Sequence, residues 1–193
     1  MIFLTVGTQL SFDRLVRSVD RWCEQTKFSD VVGQLALRDA RQGYQPRHFR
    51  WVNFMEPREF EHHFDIADMI VAHAGMGSII TAVMKAKPIL VLPRRAALGE
   101  QRNDHQLATV ERIRSREGVF VARVEDDVPT QLEVMRERYA RDRVASPDAR
   151  PHADERLISE VRRAITSRAC PEKTTLVHRH MRPRSHSWSI GRI

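Results

Sequence analysis

The stretch Ala67–Arg94, ADMIVAHAGMGSIITAVMKAKPILVLPR, decides how this chain folds. ADMIVA (Ala67–Ala72) is a short apolar run with β-branched residues at its centre and reads as a buried strand. It runs straight into the glycine loop His73-Ala74-Gly75-Met76-Gly77-Ser78. Ser78 to Lys87 then suits a helix, which Pro88 stops. Ile89–Leu92 is a second apolar run. Strands that lack polar alternation belong to parallel sheets covered on both faces, so the segment is one β-α-β unit.

The same alternation extends outward. Upstream, Ile2–Val6 is a strand closed by Gly7-Thr8, and Asp13–Thr26 sets Leu15, Val16, Val19, Trp22 and Cys23 on one helical stripe. Val31–Leu37 and His48–Val52 read as strands, and Glu56-Pro57 opens a short helix, since proline suits a first helical turn. Downstream, Pro93–Arg102 is an arginine-rich loop, and Asn103 is placed to cap a helix running to about Arg116. Gly118–Arg123 is a sixth strand, followed by amphipathic helices at Pro129–Arg143 and Asp154–Arg168. The expected fold is α/β: an open, mostly parallel, Rossmann-like sheet with helices on both faces. Such sheets bind ligands at the carboxyl ends of their strands, where Gly7-Thr8-Gln9 and His73–Ser78 both fall.

Composition narrows the function. The 193 residues are 41% hydrophobic and 30% charged, a globular balance. Of the net charge of +7, about +5 belongs to the residues from Arg168 onward, so the rest is nearly neutral and does not read as a nucleic-acid binder. The tail 169–193 reads as a solvated, disordered end, with contact to anionic lipid or RNA as the alternative. Cys23 and Cys170 share no metal or disulfide spacing, and Cys23 reads as a core residue. MIFLTVGT has no basic segment before its apolar run and does not read as a signal peptide. Met69–Met84 is free of formal charge, but it is interrupted by His73, Gly75 and Gly77 and too short to span a bilayer.

The glycine loop has a physical logic. Glycines let the backbone turn and approach a ligand, and the helix that follows turns its free N–H groups toward the loop. Diphosphate is the natural guest, and Ser78 adds a hydroxyl. G-M-G-S-I-I departs from the dinucleotide signature at Ile80, where a third glycine belongs, and follows the fourth strand rather than the first. Nicotinamide and flavin cofactors are therefore disfavoured, and no P-loop motif is present. A strand-to-helix turn without a ligand is the plain alternative.

Three segments in order resemble the C-terminal, donor-binding domain of glycosyltransferase family 28: TVGTQLSFDRLVRSVD (Thr5–Asp20), AHAGMGSIITAVMKAKPILVLPR (Ala72–Arg94) and GEQRNDHQLAT (Gly99–Thr109). The likeness covers about residues 1–125. It extends to the MurG-type enzymes and to the small catalytic subunit of the eukaryotic dolichyl-pyrophosphate GlcNAc transferase, and is nearest to PssE-like exopolysaccharide subunits. It implies a nucleotide-sugar-binding domain over residues 1–168, one half of a GT-B enzyme. Gly7, Thr8, Gln9, Gly75, Met76, Gly77 and Ser78 would then hold the diphosphate. Phe54, Met55 and Thr81 would lie at the uridine. Asn103, Asp104, His105 and Gln106 would meet the donor sugar. Thr81 stands where many members carry a ribose-binding glutamate.

The implied reaction is inverting transfer from a UDP-sugar to a polyprenyl-diphosphate-linked acceptor, with glucuronic acid as the first expectation ahead of galactose and N-acetylglucosamine. No D-x-D segment is present, so no metal or cofactor is expected, and basic groups such as Arg94 would stabilise the departing UDP. Arg94, Arg95 and Arg102 are candidates to pair with a uronate. His73 is the catalytic candidate, through phosphate contact or proton transfer, unless it merely bonds to loop backbone. His62 and His63 read as solvated surface residues. The resemblance implies a separate, membrane-associated acceptor subunit (PssD-like) that holds this chain at the cytoplasmic membrane face. A non-catalytic accessory module would keep the diphosphate loop without needing sugar-contacting polar groups.

Overall fold

Odd and even residues of each central strand face opposite sides of the sheet, and both sets are apolar. The computed structural model describes residues 1–37 and 43–145. Six strands, β1 (Ile2–Thr5), β2 (Val31–Gln34), β3 (Arg50–Val52), β4 (Met69–His73), β5 (Ile89–Leu92) and β6 (Val119–Val121), form one sheet in the order β3-β2-β1-β4-β5-β6. All five pairings are parallel. Ile2, Leu4, Val71, Leu90 and Leu92 pack toward α1 (Asp13–Thr26) and α5 (Asp127–Ala145). Phe3, Ile70, Ala72, Ile89 and Val91 pack toward α2 (Pro57–Ile66), α3 (Met76–Met84) and α4 (His105–Ile113). The expected sheet and its two helical layers are therefore present.

Local details depart from expectation for identifiable reasons. Helix α3 begins at Met76 rather than Ser78 and ends at Met84, before Pro88 is reached. Ala86 takes a left-handed φ of 50°, and the Ala86 and Lys87 N–H groups donate to the Val83 and Ala82 carbonyls at 3.1 and 2.8 Å. That double bond is a Schellman closure. Asp104, not Asn103, caps α4: its carbonyl accepts from Leu107 and Ala108, while Asn103 Oδ1 accepts from the His105 N–H at 3.3 Å. His63 is not a solvated residue either; its ring stacks on Phe3 with centroids 5.7 Å apart. Cys23 is buried as expected, and burial pushes its thiol up to about 12. The Asp154–Arg168 helix and the 169–193 tail lie outside the described residues.

Candidate functional site

The strand order reverses between β1 and β4, which leaves a crevice at their carboxyl ends. Two glycines and a histidine meet there. Gly7 follows β1 at φ +83°, a left-handed conformation that side chains disfavour. Its N–H donates to Thr5 Oγ1 at 3.3 Å, and its carbonyl accepts from Gln34 Nε2 at 3.2 Å. His73 ends β4, and its imidazole lies between Gly7 and Gly75. A Cβ on Gly7 would stand 3.0 Å from His73 Cε1, and one on Gly75 only 2.2 Å from Nε2. Burial first, and then the positive charge of Arg94, lower the His73 pKa to about 4, against a raising contact with the Thr5 backbone. The imidazole is therefore neutral at pH 7, and its buried Nδ1 has no hydrogen-bond partner.

Helix α3 starts beside this histidine. The Ile79 N–H makes the first intrahelical bond, to the Gly75 carbonyl at 3.3 Å, which leaves the Met76, Gly77 and Ser78 N–H groups at the positive end of the helix dipole. Gly77 is exposed, and a Cβ there would meet nothing within 4 Å. Thr81 turns its hydroxyl back into the helix and donates to the Gly77 carbonyl at 2.9 Å.

Arg94 has a role different from the one expected. It is 3% exposed and spends its guanidinium on main-chain carbonyls: Nη2 donates to Val6 at 3.0 Å and Leu10 at 2.6 Å, Nη1 to Ser11 at 2.7 Å and Glu100 at 3.4 Å. It also lies over the Phe12 ring at 4.5 Å. Burial lowers its pKa to about 10, which still leaves it charged at pH 7. So Arg94 locks the β1–α1 loop to the end of β5 and is not free to neutralise a leaving group or a uronate. Beside it Arg14 pairs with Glu100 through Nε and Nη2, both at 2.9 Å, and with Glu125 at 2.9 Å, tying α1 to two further loops.

The other expected residues divide. Gln106 is buried, and its Oε1 accepts the Arg94 N–H at 3.0 Å. Asp104 turns its carboxylate to the Ala96 N–H at 2.8 Å. Asn103 and His105 are exposed beside them, as are Thr8 and Gln9 after β1. Phe54 is 56% exposed, whereas Met55 is a core residue whose N–H donates to Gln34 Oε1 at 2.9 Å. Arg95 gives Nη2 to the Arg123 carbonyl at 2.8 Å, and Arg102 is exposed. Sequence reading overlooked Thr5, Arg14, Gln34 and Glu100. The one signal for Gln34 was a polar residue closing the apolar strand VVGQ. Among the described residues no three His, Cys, Asp or Glu side chains gather as a metal site, and no helix is long and apolar enough to cross a membrane.

A six-stranded open parallel sheet with helices on both faces is the architecture of GT-B glycosyltransferase C-terminal domains. Residues 1–141 match the glycosyltransferase family 28 C-terminal domain, and the chain belongs to that family. It is 30% identical over 124 residues to the UDP-N-acetylglucosamine transferase subunit ALG13 of Mus musculus, a match covering 61% of this chain and 10% of that protein. The fold is shared with MurG of Acinetobacter baumannii (TM-score 0.54, 14% identity, 83% of this chain and 49% of that one). It is also shared with the glycotransferase of kitacinnamycin (TM-score 0.53, 18% identity, 86% and 39%). The chain thus spans a tenth of its curated relative and less than half of each of these structures.

Proposed function

We propose that this chain is the donor-binding, catalytic subunit of an inverting UDP-sugar glycosyltransferase, completed by a second chain that carries the acceptor. The observation behind this reading is the meeting of Gly7, His73 and Gly75 at the head of α3. That arrangement offers a diphosphate three free N–H groups, a helix dipole and a neutral imidazole held without a partner at Nδ1. The acceptor hydroxyl attacks the anomeric carbon as a general base on the acceptor-bearing chain takes its proton, the C–O bond to UDP breaks, and charge developing on the leaving diphosphate is stabilised by the helix end. With Arg94 committed to carbonyls, the α3 N-terminus carries this task. His73, neutral at pH 7, is suited to donate its ring N–H to a phosphate oxygen, while its pKa of about 4 makes it a weak base. Phe54, exposed after β3, offers a ring face to the uracil, and His105 and Asn103 remain available to the sugar hydroxyls.

The chain matches 49% of the MurG structure, and we assign the acceptor half to a second chain. The relative whose name reads as a transferase subunit supports a heteromeric assembly. A PssD-like membrane partner and a polyprenyl-diphosphate acceptor in exopolysaccharide synthesis complete the proposal, with glucuronic acid as the first donor sugar to test. The accessory-subunit reading gains one observation, since Gln106 spends its oxygen on Arg94 rather than keeping it for a sugar. Turnover of a UDP-sugar panel by the chain with and without the co-expressed partner decides between the two. Product formed only with both chains, and lost with His73→Ala, supports catalysis here. Undiminished turnover with His73→Ala places the chemistry on the partner.

A further inference from the structure

Gln34 closes β2 with its side chain wholly buried, at a position that parallel strands usually fill with an aliphatic residue. Its amide makes two bonds in opposite directions. Nε2 donates to the Gly7 carbonyl at 3.2 Å, and Oε1 accepts the Met55 N–H at 2.9 Å. The β2 backbone runs the same link in parallel: the Val6 N–H donates to the Gln34 carbonyl at 3.2 Å, and the Leu35 N–H to the Val52 carbonyl at 3.1 Å. One side chain therefore spans the loop after β1, which faces His73, and the loop after β3, which carries Phe54 and Met55.

We propose that Gln34 is a positioning residue for the donor, fixing the separation between the diphosphate loop and the nucleoside loop so that one ligand can engage both. This rests on the nucleotide-sugar reading above. An amide satisfies both neighbours at every pH, because Met55 N–H needs an acceptor and the Gly7 carbonyl needs a donor. Glutamate would keep the acceptor, but its second oxygen would face a carbonyl unless protonated. A wholly buried carboxyl favours the protonated form, so acid restores the missing donor and alkali removes it.

The test is calorimetric titration of UDP into the full chain, wild type and Gln34→Glu, between pH 5 and 8.5, with a thermal melt at each pH. His73 and Arg94, the ionisable groups beside the Gly7 loop, are common to both chains, so the affinity ratio cancels them. The expected ratio is near one at pH 5 and grows to roughly tenfold in favour of the wild type at pH 8.5, the scale of one lost hydrogen bond with its partner left buried. A ratio of one at every pH in a folded variant overturns the proposal, and so does a melting shift without an affinity shift. A second arm does not depend on the variant folding. Inorganic pyrophosphate titrated into the ¹⁵N-labelled wild type should move the Met55 amide signal together with that of Gly7; a Met55 signal that stays still overturns the proposal. A wild type that binds neither UDP nor pyrophosphate overturns the functional reading and the positioning role with it.

Discussion

The imidazole of His73 occupies the space a side chain on Gly75 would need, since a Cβ there would lie 2.2 Å from Nε2. The histidine that ends β4 and the residue that caps α3 thus define each other. Gly77, two residues on, has no such constraint: its φ is ordinary and its Cβ position is open. The two glycines of the loop therefore differ, one making room for a protein side chain and the other facing open space.

Gly75→Ala should push His73 aside and cost about 1–3 kcal/mol of stability, the usual scale of overpacking. Gly77→Val should fold with a melting temperature close to wild type and lose UDP binding, because only the approach of a ligand is blocked. Calorimetry and thermal melts on the pair check this. Unchanged UDP affinity in folded Gly77→Val would remove the loop from the diphosphate site.

His73 should make the protein acid-sensitive. Its folded pKa of about 4 lies below the ordinary value of 6.5, so the unfolded chain binds the proton more readily. Stability from this group is complete above pH 6.5 and falls as pH drops toward 4, by at most about 1.4 kcal/mol per pH unit. Asp20, whose carboxylate is held below its usual range by Tyr44 and the His48 and Arg47 N–H groups despite its burial, loses its contribution only at lower pH. His73→Asn should flatten the stability curve between pH 6.5 and 4, as read by urea unfolding. An unchanged slope there would show that this histidine does not titrate in that window.

Arg94→Lys should destabilise by about 2–4 kcal/mol despite keeping the charge, because one ammonium cannot reach carbonyls on Val6, Leu10, Ser11 and Glu100 together. At roughly 2–4 °C per kcal/mol the melting temperature should fall by several degrees. A melting temperature equal to wild type would mean the clamp contributes nothing.

His105→Ala isolates sugar contact, since the ring is exposed. Affinity for a UDP-sugar should drop a few-fold while that for UDP stays constant, matching one hydrogen bond of about 0.5–1.5 kcal/mol. Equal effects on both ligands would move His105 to the nucleotide.

Ala86→Gly should stabilise the fold by about 0.5–1 kcal/mol, because Ala86 sits at the left-handed position that closes α3. Chemical denaturation reads the change directly, and a less stable variant would refute the strain.

The fold was legible because its strands are written as uninterrupted apolar runs, such as ILVL at Ile89–Leu92, separated by helices with a buried stripe. The glycine loop was legible for the same reason, as a break between two such elements. What stayed hidden was polar support. Nothing in the order of residues says that Arg94 turns inward to four carbonyls, or that Gln106 accepts its N–H. Arg94 reads as a surface-facing loop residue and Gln106 as one in a first helical turn until the chain brings Val6 and Ser11 alongside. Gln34 was hidden likewise, since its two partners lie 27 and 21 residues away.

The register of β1 has a consequence for how the protein is made. Ile2 pairs with Val31 on one side and with Met69 on the other, and the loop after β1 is held by Gln34 at Gly7 and by Arg94 at Val6. During synthesis the central strand must wait, with one edge open, until β4 at Met69–His73 has been made. Contacts so distant in sequence form slowly, and an unpaired apolar strand invites association meanwhile. Fragments ending before β4 should be sticky rather than half-active. A ribosome-bound chain would acquire the proposed nucleotide binding abruptly, once the segment through Gln106 has emerged.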